Sequence, residues 1–178
     1  MDRLRISKQQ GFGVIELMVA GLILVIAALT AISLVVMAIA VNQRNKIDST
    51  QTMLAESVIE QVNSTIIGGG TSGLTDCAGN SWTINTAPGG SALSGSAIDY
   101  TESSPPSNYN MQYVVKTPCL TSGTTQAVYD VRWNVSIVGA PTNPTNSYEV
   151  IVGAKRVGSR NNAMVEPSAL TLRAITGN

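Results

Sequence analysis

The chain has 178 residues, enough for one domain of ordinary size with an appended element. Its 11 basic and 11 acidic side chains give a formal net charge of zero, so no large positive field indicates nucleic acid. Histidine, the commonest metal ligand and general base, is absent, and charged residues make up only 12% of the chain, which is low for a soluble domain.

The first predicted element is a membrane-spanning helix. After a short basic segment, about 25 residues from Leu17 to Val41 carry no charge and no proline. At 1.5 Å per residue, an α-helix of this length reaches roughly 37 Å, more than the ~30 Å hydrocarbon core of a bilayer. This run therefore predicts a transmembrane helix.

The predicted helix continues past this run as an amphipathic segment. No glycine or proline interrupts the chain from Ser33 to Ile67, and three glycines, Gly68–Gly70, then give a strong stop signal. We therefore expect one helix from about Val14 to about Ile67, whose second half packs against a folded domain through one apolar stripe. The stripe consists of Ile47, Leu54, Val58, Val62 and Ile66.

The next segment, from Gly68 to Pro106, is rich in Gly, Ser, Thr, Asn and Pro. Such a composition predicts a long connecting region with weak regular structure. Two short strand-like pieces, SWTINT and AIDYT, interrupt it.

Four clearer strands follow, in the runs YNMQYVVK, VYDVRWNVSIV, SYEVIVGAKRV and ALTLRAI. The loop GAPTNPTN joins the second run to the third, which predicts an antiparallel hairpin. In the second run, apolar residues alternate with polar ones, so one sheet face needs a cover, and the helix stripe is the expected cover. The apolar set is Tyr129, Val131, Trp133, Val135 and Ile137, and the polar set is Asp130, Arg132, Asn134 and Ser136.

These elements together predict the fold class. We expect an α+β protein in which a long N-terminal α-helix, transmembrane and then amphipathic, packs on a C-terminal antiparallel β-sheet. Tyr129 and Trp133 are expected in the core, because both lie on the apolar face of the best-patterned strand.

The predicted membrane helix carries one carboxylate, Glu16, near its start. A charge in the bilayer core costs about 2.5–3.5 kcal/mol even on the gentle insertion scale, so Glu16 needs a partner and is a functional candidate. The residues one turn further on, Val19 and Ala20, offer none. If the chain is cut between Gly11 and Phe12, the new α-amine of Phe12 supplies a positive charge for Glu16 of the same or a neighbouring copy. The carboxylate would then bring subunits into register as their helices bundle.

The order of basic leader, Gly11, Phe12, Glu16 and unbroken apolar helix resembles the class III signal of type IV pilins and pseudopilins. The resemblance covers residues 8–41, and the layout of long helix, variable loop region and antiparallel sheet is similar to a pilin-like fold. It implies that a membrane prepilin peptidase cuts after Gly11 and methylates the new N-terminal Phe12. It implies for Glu16 a role in subunit assembly.

The resemblance also implies a division of the chain. Residues 1–11 form a leader peptide, 12–41 the transmembrane and assembly half of the helix, 42–67 its amphipathic half, and 68–178 a periplasmic or extracellular globular β domain. The implied location is the bacterial inner membrane before assembly, with the C-terminal domain in the periplasm, and the pilus or cell surface afterwards. The implied partners are other pilin subunits, the prepilin peptidase, the inner-membrane assembly machinery and, before assembly, membrane lipid.

Two departures from the family pattern favour a minor pilin or a pseudopilin over a bulk subunit. Many major pilins carry a proline inside the mature helix, whereas Ser33 stands near that position here. Several major pilins close a disulfide near the C-terminus, whereas the cysteines here are Cys77 and Cys119. These two can pair in an oxidising compartment or be two unrelated buried thiols.

Three alternatives to a pilus subunit stay open. A pseudopilin of a type II secretion system carries the same kind of signal. A signal-anchored extracytoplasmic binding or adhesion domain would keep its helix in the membrane and never polymerise. A conventional secretory signal would be cut near Ala38–Ala40, but its apolar region would far exceed the usual length of about 7–15 residues.

No motif in the chain indicates an enzyme. A Ser-His triad and a zinc site both lack their histidine, and no GxSxG, Walker or dinucleotide-binding motif occurs. We therefore predict no catalysis, no cofactor and no metal site. Lys155, Arg156 and Arg160, with Arg173 further on, carry the charge that phosphate binding needs, but such a cluster at a strand end is usually a solvated loop. Nucleic acid is not an expected partner.

Overall fold

The chain forms one long helix and a series of antiparallel strands, arranged in two compact units, residues 1–42 and 43–178. Unit 1 contains the first part of the helix, and unit 2 contains its remaining turns and all the strands. The computed structural model describes residues 13–65, 69–140, 143–158 and 168–177, except for the side chains of residues 140 and 143–146.

The helix, α1, spans Val14–Asn63 and is 50 residues long. Its start agrees with the sequence prediction, and it continues without interruption through Ser33. It ends before the predicted Ile67, in a tightened turn where the Thr65 amide donates to the Val62 carbonyl at 3.3 Å. Residues 66–68, which include the last predicted position of the stripe, lie outside the described residues.

Within unit 2, the second half of α1 packs on the sheet through one side, as its apolar periodicity predicts. Four predicted stripe residues are buried there, while Glu56 and Glu60 on the other side are exposed. Gln51 is also fully covered, and its amide lies 3.4 Å from the Ser168 carbonyl. The buried helix residues are Ile47, Gln51, Leu54, Ala55, Val58 and Val62.

The strands of unit 2 are Thr71–Thr75 (β1), Ser81–Asn85 (β2), Gly89–Gly90 (β3), Leu93–Ser94 (β4), Ala97–Ile98 (β5), Asn110–Thr117 (β6), Thr124–Ala140 (β7), Asn143–Val157 (β8) and Leu170–Gly177 (β9). The central sheet has five antiparallel strands, in the order β3-β7-β8-β9, with β6 also paired to β7. Two small hairpins, β1-β2 and β4-β5, complete the described strands. The long strand β7 pairs along one edge with β6 and then β3, and along the other edge with β8.

The core lies between α1 and the apolar face of β6, β7 and β8. Tyr129 and Trp133 are buried in it, as the alternation of β7 predicts, and the Trp133 indole donates to the Asn85 carbonyl at 3.0 Å. Ile137 differs from the prediction, because its side chain is 46% exposed. It lies where the β7–β8 register shifts between Ile137 and Gly139, and such a shift takes a strand out of its regular alternation.

The segment between α1 and β6 is more regular than its composition predicts. Thr86 and Ser91 are completely buried, and each donates its hydroxyl to a backbone carbonyl. At Gly90, φ is +129°, and a Cβ there would lie 2.4 Å from the Trp133 carbonyl oxygen, so this close approach of β3 to β7 requires glycine. Hydrogen bonds from side chains to the backbone leave no apolar periodicity in a sequence, which is why the regular structure of this segment was not predicted.

The polar face of β7 is also partly covered, which the sequence did not predict. The Arg132 guanidinium binds the Asp130 carboxylate at 2.8 Å, and both side chains are about nine-tenths buried. Arg132 also donates to the carbonyls of Asp99 and Glu102, at 3.3 and 3.0 Å, and lies 5.1 Å from the centre of the Tyr100 ring. The β4-β5 hairpin and the turn after it are thereby attached to the sheet by a charged group in addition to the buried apolar side chain of Ile98.

Tyr100 is part of the segment that covers the polar face of β7. Burial, and then the neighbouring Asp130 carboxylate, raise the pKa of the Tyr100 hydroxyl well above its ordinary value, so the group stays protonated. The hydroxyl lies 3.4 Å from the Asp130 carbonyl oxygen, to which it donates. Gly153 in β8 makes room for it, because a Cβ there would lie 2.8 Å from the Tyr100 hydroxyl.

Candidate assembly site

The first half of α1 exposes an unbroken apolar surface. Every described residue from 13 to 39 is exposed, and the large apolar side chains among them are more than half exposed. Within the described residues, α1 is the one helix long and apolar enough to cross a membrane, with a mean hydropathy of 3.0 over its most apolar window. An apolar surface of this size marks a site that contacts lipid or other proteins.

Glu16 is the only charged residue between positions 13 and 41. It lies in the first turn of α1, where its amide donates to the Gly13 carbonyl at 2.9 Å, and its side chain is exposed. A carboxylate is favoured at a helix N-terminus, which offsets part of the cost of placing it in an apolar environment. Among the described residues, no cation lies within ion-pair distance of Glu16.

The other polar side chains of this apolar run are satisfied within the helix. The Thr30 hydroxyl donates to the Ala27 carbonyl at 2.8 Å, and the Ser33 hydroxyl donates to the Leu29 carbonyl at 3.0 Å. Such bonds let a hydroxyl sit in an apolar environment without an outside partner. Among the described residues of the run, Glu16 is thus the polar side chain without a recorded partner in its own helix.

Gly11 and Phe12, the predicted cleavage and methylation positions, lie outside the described residues. Cleavage after Gly11, methylation of Phe12 and the pairing of Phe12 with Glu16 therefore stay predictions. The described part of α1 begins two residues after Phe12, at Val14.

Cys77 and Cys119, whose pairing the sequence left open, form a disulfide in the structure. Their Cα atoms are 4.7 Å apart, and 42 positions separate them in the chain. Cys77 lies in the turn that connects β1 to β2, and Cys119 follows β6, so the bond ties the predicted connecting region to the main sheet. The Cys77 amide reinforces this link by donating to the Val114 carbonyl at 3.3 Å.

Asp76, next to the disulfide, organises the turn DCAGN and was not singled out by sequence reasoning. One carboxylate oxygen accepts from the amides of Ala78 and Asn80, at 2.8 and 2.9 Å. The other accepts from the Asn80 side chain at 2.9 Å and from the Val114 amide at 3.2 Å. Burial disfavours the charged carboxylate, but these hydrogen bonds outweigh burial and lower the pKa of Asp76. An aspartate before a glycine-containing turn was the available signal.

Replacing Asp76 with Asn is expected to destabilise unit 2 by about 2–3 kcal/mol near neutral pH. The new amide NH₂ would face the two donors, the Asn80 side chain and the Val114 amide, that now bind a carboxylate oxygen. The folded-state pKa lies below the ordinary value of 3.8, so this stability is present above that pH and is lost as the pH falls through the folded pKa. Urea unfolding of the full chain in detergent, monitored by tryptophan fluorescence at about pH 7 and about pH 2, measures the difference in the free energy of unfolding between the variant and the unchanged protein.

The exposed Asp48 provides the matched control for this substitution. Replacing Asp48 with Asn should change the free energy of unfolding by less than about 0.5 kcal/mol. The ionised carboxylate has no such role if the stability difference between Asp76→Asn and the unchanged protein stays constant from about pH 7 to about pH 2.

The basic residues considered for phosphate binding do not form one patch in the described structure. Lys155 lies opposite Asp130, with its ammonium 5.7 Å from the centre of the Tyr100 ring. Arg156 lies opposite Tyr129, on the other face of β8, and Arg173 in β9 pairs with Glu149. Arg160 lies outside the described residues. The described residues also contain no group of three or more His, Cys, Asp or Glu placed to hold a metal ion.

The structure thus brings Asp76 next to the disulfide and, separately, pairs Asp130 with Arg132 in unit 2, whereas Glu16 lies in the first turn of α1. Comparison with protein-family models, with curated proteins and with solved structures finds no match.

Proposed function

We propose that this chain is a pilin-like structural subunit, cleaved after Gly11 and assembled into a type IV pilus or a pilus-like filament as a minor pilin. One observation carries the proposal. Glu16 is a lone carboxylate in the first turn of a 50-residue helix that is otherwise apolar as far as Val41 and then packs by one side on an antiparallel sheet. An anchor that only holds a domain at a membrane gains nothing from such a charge.

Assembly would bury the apolar run and would give the Glu16 carboxylate a partner. Lipid offers little driving force for apolar helices to associate, but helices extracted from lipid together bury a continuous apolar core. In that core the α-amine of a neighbour's Phe12, with an ordinary pKa of about 7.7–8.0, is protonated at neutral pH and can pair with Glu16. The low dielectric strengthens the pair and fixes the axial step between subunits.

The proposed path begins in the bacterial inner membrane. The prepilin peptidase cuts and methylates the chain there, and the assembly machinery then moves the subunit from lipid into the filament. The Cys77–Cys119 disulfide supports a periplasmic or extracellular position for the sheet domain, because structural disulfides persist in oxidising compartments.

Intact-mass measurement of the mature chain is the direct test. The proposal requires a chain that begins at Phe12 and carries one added methyl group. A chain that keeps Met1, or one that begins near Val41, contradicts the proposal and favours an anchored or secreted domain. A correctly processed chain that co-purifies with a type II secretion system instead of a pilus would assign it to the pseudopilins.

A further inference from the structure

A groove of about 350 Å³ lies in unit 2 between the turns of α1 after Asn42 and the strands β6, β7 and β8. Its described lining contains two cations, Lys46 and Arg156, and no carboxylate. Apolar side chains, among them Ile47, Val115 and Tyr129, form the rest of its wall together with polar uncharged groups. The groove therefore combines positive charge with an apolar surface.

Arg156 is placed in this groove by the β7–β8 register. It lies opposite Tyr129, so its side chain is on the core face of β8, whereas Lys155 is on the other face. Its Nε atom is buried and has no hydrogen-bond partner among the described residues. Arg132, one strand away, makes hydrogen bonds from all three guanidinium nitrogens. Because buried donors are nearly always paired, the Nε atom of Arg156 indicates an acceptor that the described residues do not supply.

Lys46 contributes the second charge from the helix. It is exposed and follows Val41, the last residue of the uncharged run, by five positions. Along an α-helix that separation is about 7.5 Å, the depth of a lipid headgroup beyond the hydrocarbon core. Long basic side chains at such positions reach the membrane surface.

We infer that this groove binds the phosphate of an anionic phospholipid, with Lys46 and Arg156 as the charged donors. The inference rests on the membrane placement of residues 14–41 in the proposed function, and not on cleavage or assembly. A zwitterionic headgroup fits less well, because its ammonium would find no carboxylate in the described lining. Free phosphate would leave the apolar wall without a contact, whereas a lipid offers the glycerol and the start of its acyl chains.

Native mass spectrometry of the full chain in detergent, titrated with single lipids, tests this site. We expect phosphatidylglycerol to be retained with an affinity at least about tenfold above that of phosphatidylcholine. The double substitution Lys46→Gln with Arg156→Gln should remove this preference, because each cation in contact with the bound phosphate is expected to contribute about 1 kcal/mol, roughly a fivefold factor. Lys46→Gln alone changes an exposed residue, so it should reduce binding several-fold without affecting folding.

The matched control changes the same net charge outside the groove. Arg44 lies on the same exposed helix, and Arg173 pairs with Glu149, but neither lines the groove. The double substitution Arg44→Gln with Arg173→Gln should leave the preference for phosphatidylglycerol within about twofold of the unchanged protein. If the control variant loses the preference for phosphatidylglycerol to the same extent, the lipid is held by diffuse attraction to surface charge and not by a specific site, which would overturn the inference.

Two further outcomes separate this site from its alternatives. Inorganic phosphate that displaces phosphatidylglycerol at equal concentration would show an anion site without lipid specificity, and so would overturn the lipid assignment. A chain that keeps Met1 yet binds phosphatidylglycerol through Lys46 and Arg156 would contradict the proposed pilin processing and leave the lipid site standing.

Discussion

Replacing Glu16 with Val is expected to block incorporation of the subunit into filaments while membrane insertion and cleavage after Gly11 continue. Valine makes the first turn of α1 more apolar, so insertion does not suffer. In the proposed filament, however, the substitution leaves the Phe12 amine of the neighbouring subunit buried without its counter-charge. Removing one partner of a buried ion pair costs about 3–5 kcal/mol, which corresponds to a fall in incorporation of roughly 10²-fold to 4 × 10³-fold.

The measurement compares the amount of subunit in sheared filaments with the amount in the membrane fraction. Thr30→Val is the matched control, since it also removes a polar group from the exposed apolar run. The Thr30 hydroxyl is already bonded to the Ala27 carbonyl of its own helix, so this variant should be incorporated normally. Normal incorporation of Glu16→Val would contradict the docking role of the carboxylate, and a loss in both variants would point to packing of the helix surface instead.

Replacing Arg132 with Met is expected to destabilise unit 2 by about 3–5 kcal/mol, the largest effect on stability that we predict for a single substitution. The substitution leaves the Asp130 carboxylate about nine-tenths buried without its partner. It also removes the donors to the carbonyls of Asp99 and Glu102 and the cation over the Tyr100 ring. Urea unfolding of the full chain in detergent measures the loss, because both tryptophans, Trp82 and Trp133, report on unit 2.

Two comparisons separate the buried charge from the other contacts of Arg132. The double variant Asp130→Asn with Arg132→Met should recover part of the stability, because no uncompensated charge is then buried. Arg173→Met breaks an exposed pair with Glu149, so it should lower the free energy of unfolding by at most about 1 kcal/mol. A double variant as unstable as Arg132→Met alone would assign the whole effect to the lost carbonyl and ring contacts.

Local and periodic features of this protein were determined by the sequence itself. The uncharged run, the four-residue repeat after it and the strict alternation of β7 each report on a single element and its one apolar face. They therefore predicted the start of α1 near Val14, the burial of Leu54 and Val58, and the core positions of Tyr129 and Trp133. Glu16 was identified as a candidate in the same way, because a charge stands out in an apolar run.

The features that join distant segments were decided by the tertiary structure alone. Cys77 and Cys119, 42 positions apart, had an open pairing until the β1-β2 hairpin and β6 brought them together. The sequence placed Asp130 and Arg132 only on the polar face of a strand, yet the segment around Tyr100 covers them. The groove at Lys46 and Arg156 joins a helix turn to a strand end more than 100 positions later. Hydrogen bonds and ion pairs between remote residues have no period along the chain, so a pattern read from one segment cannot contain them.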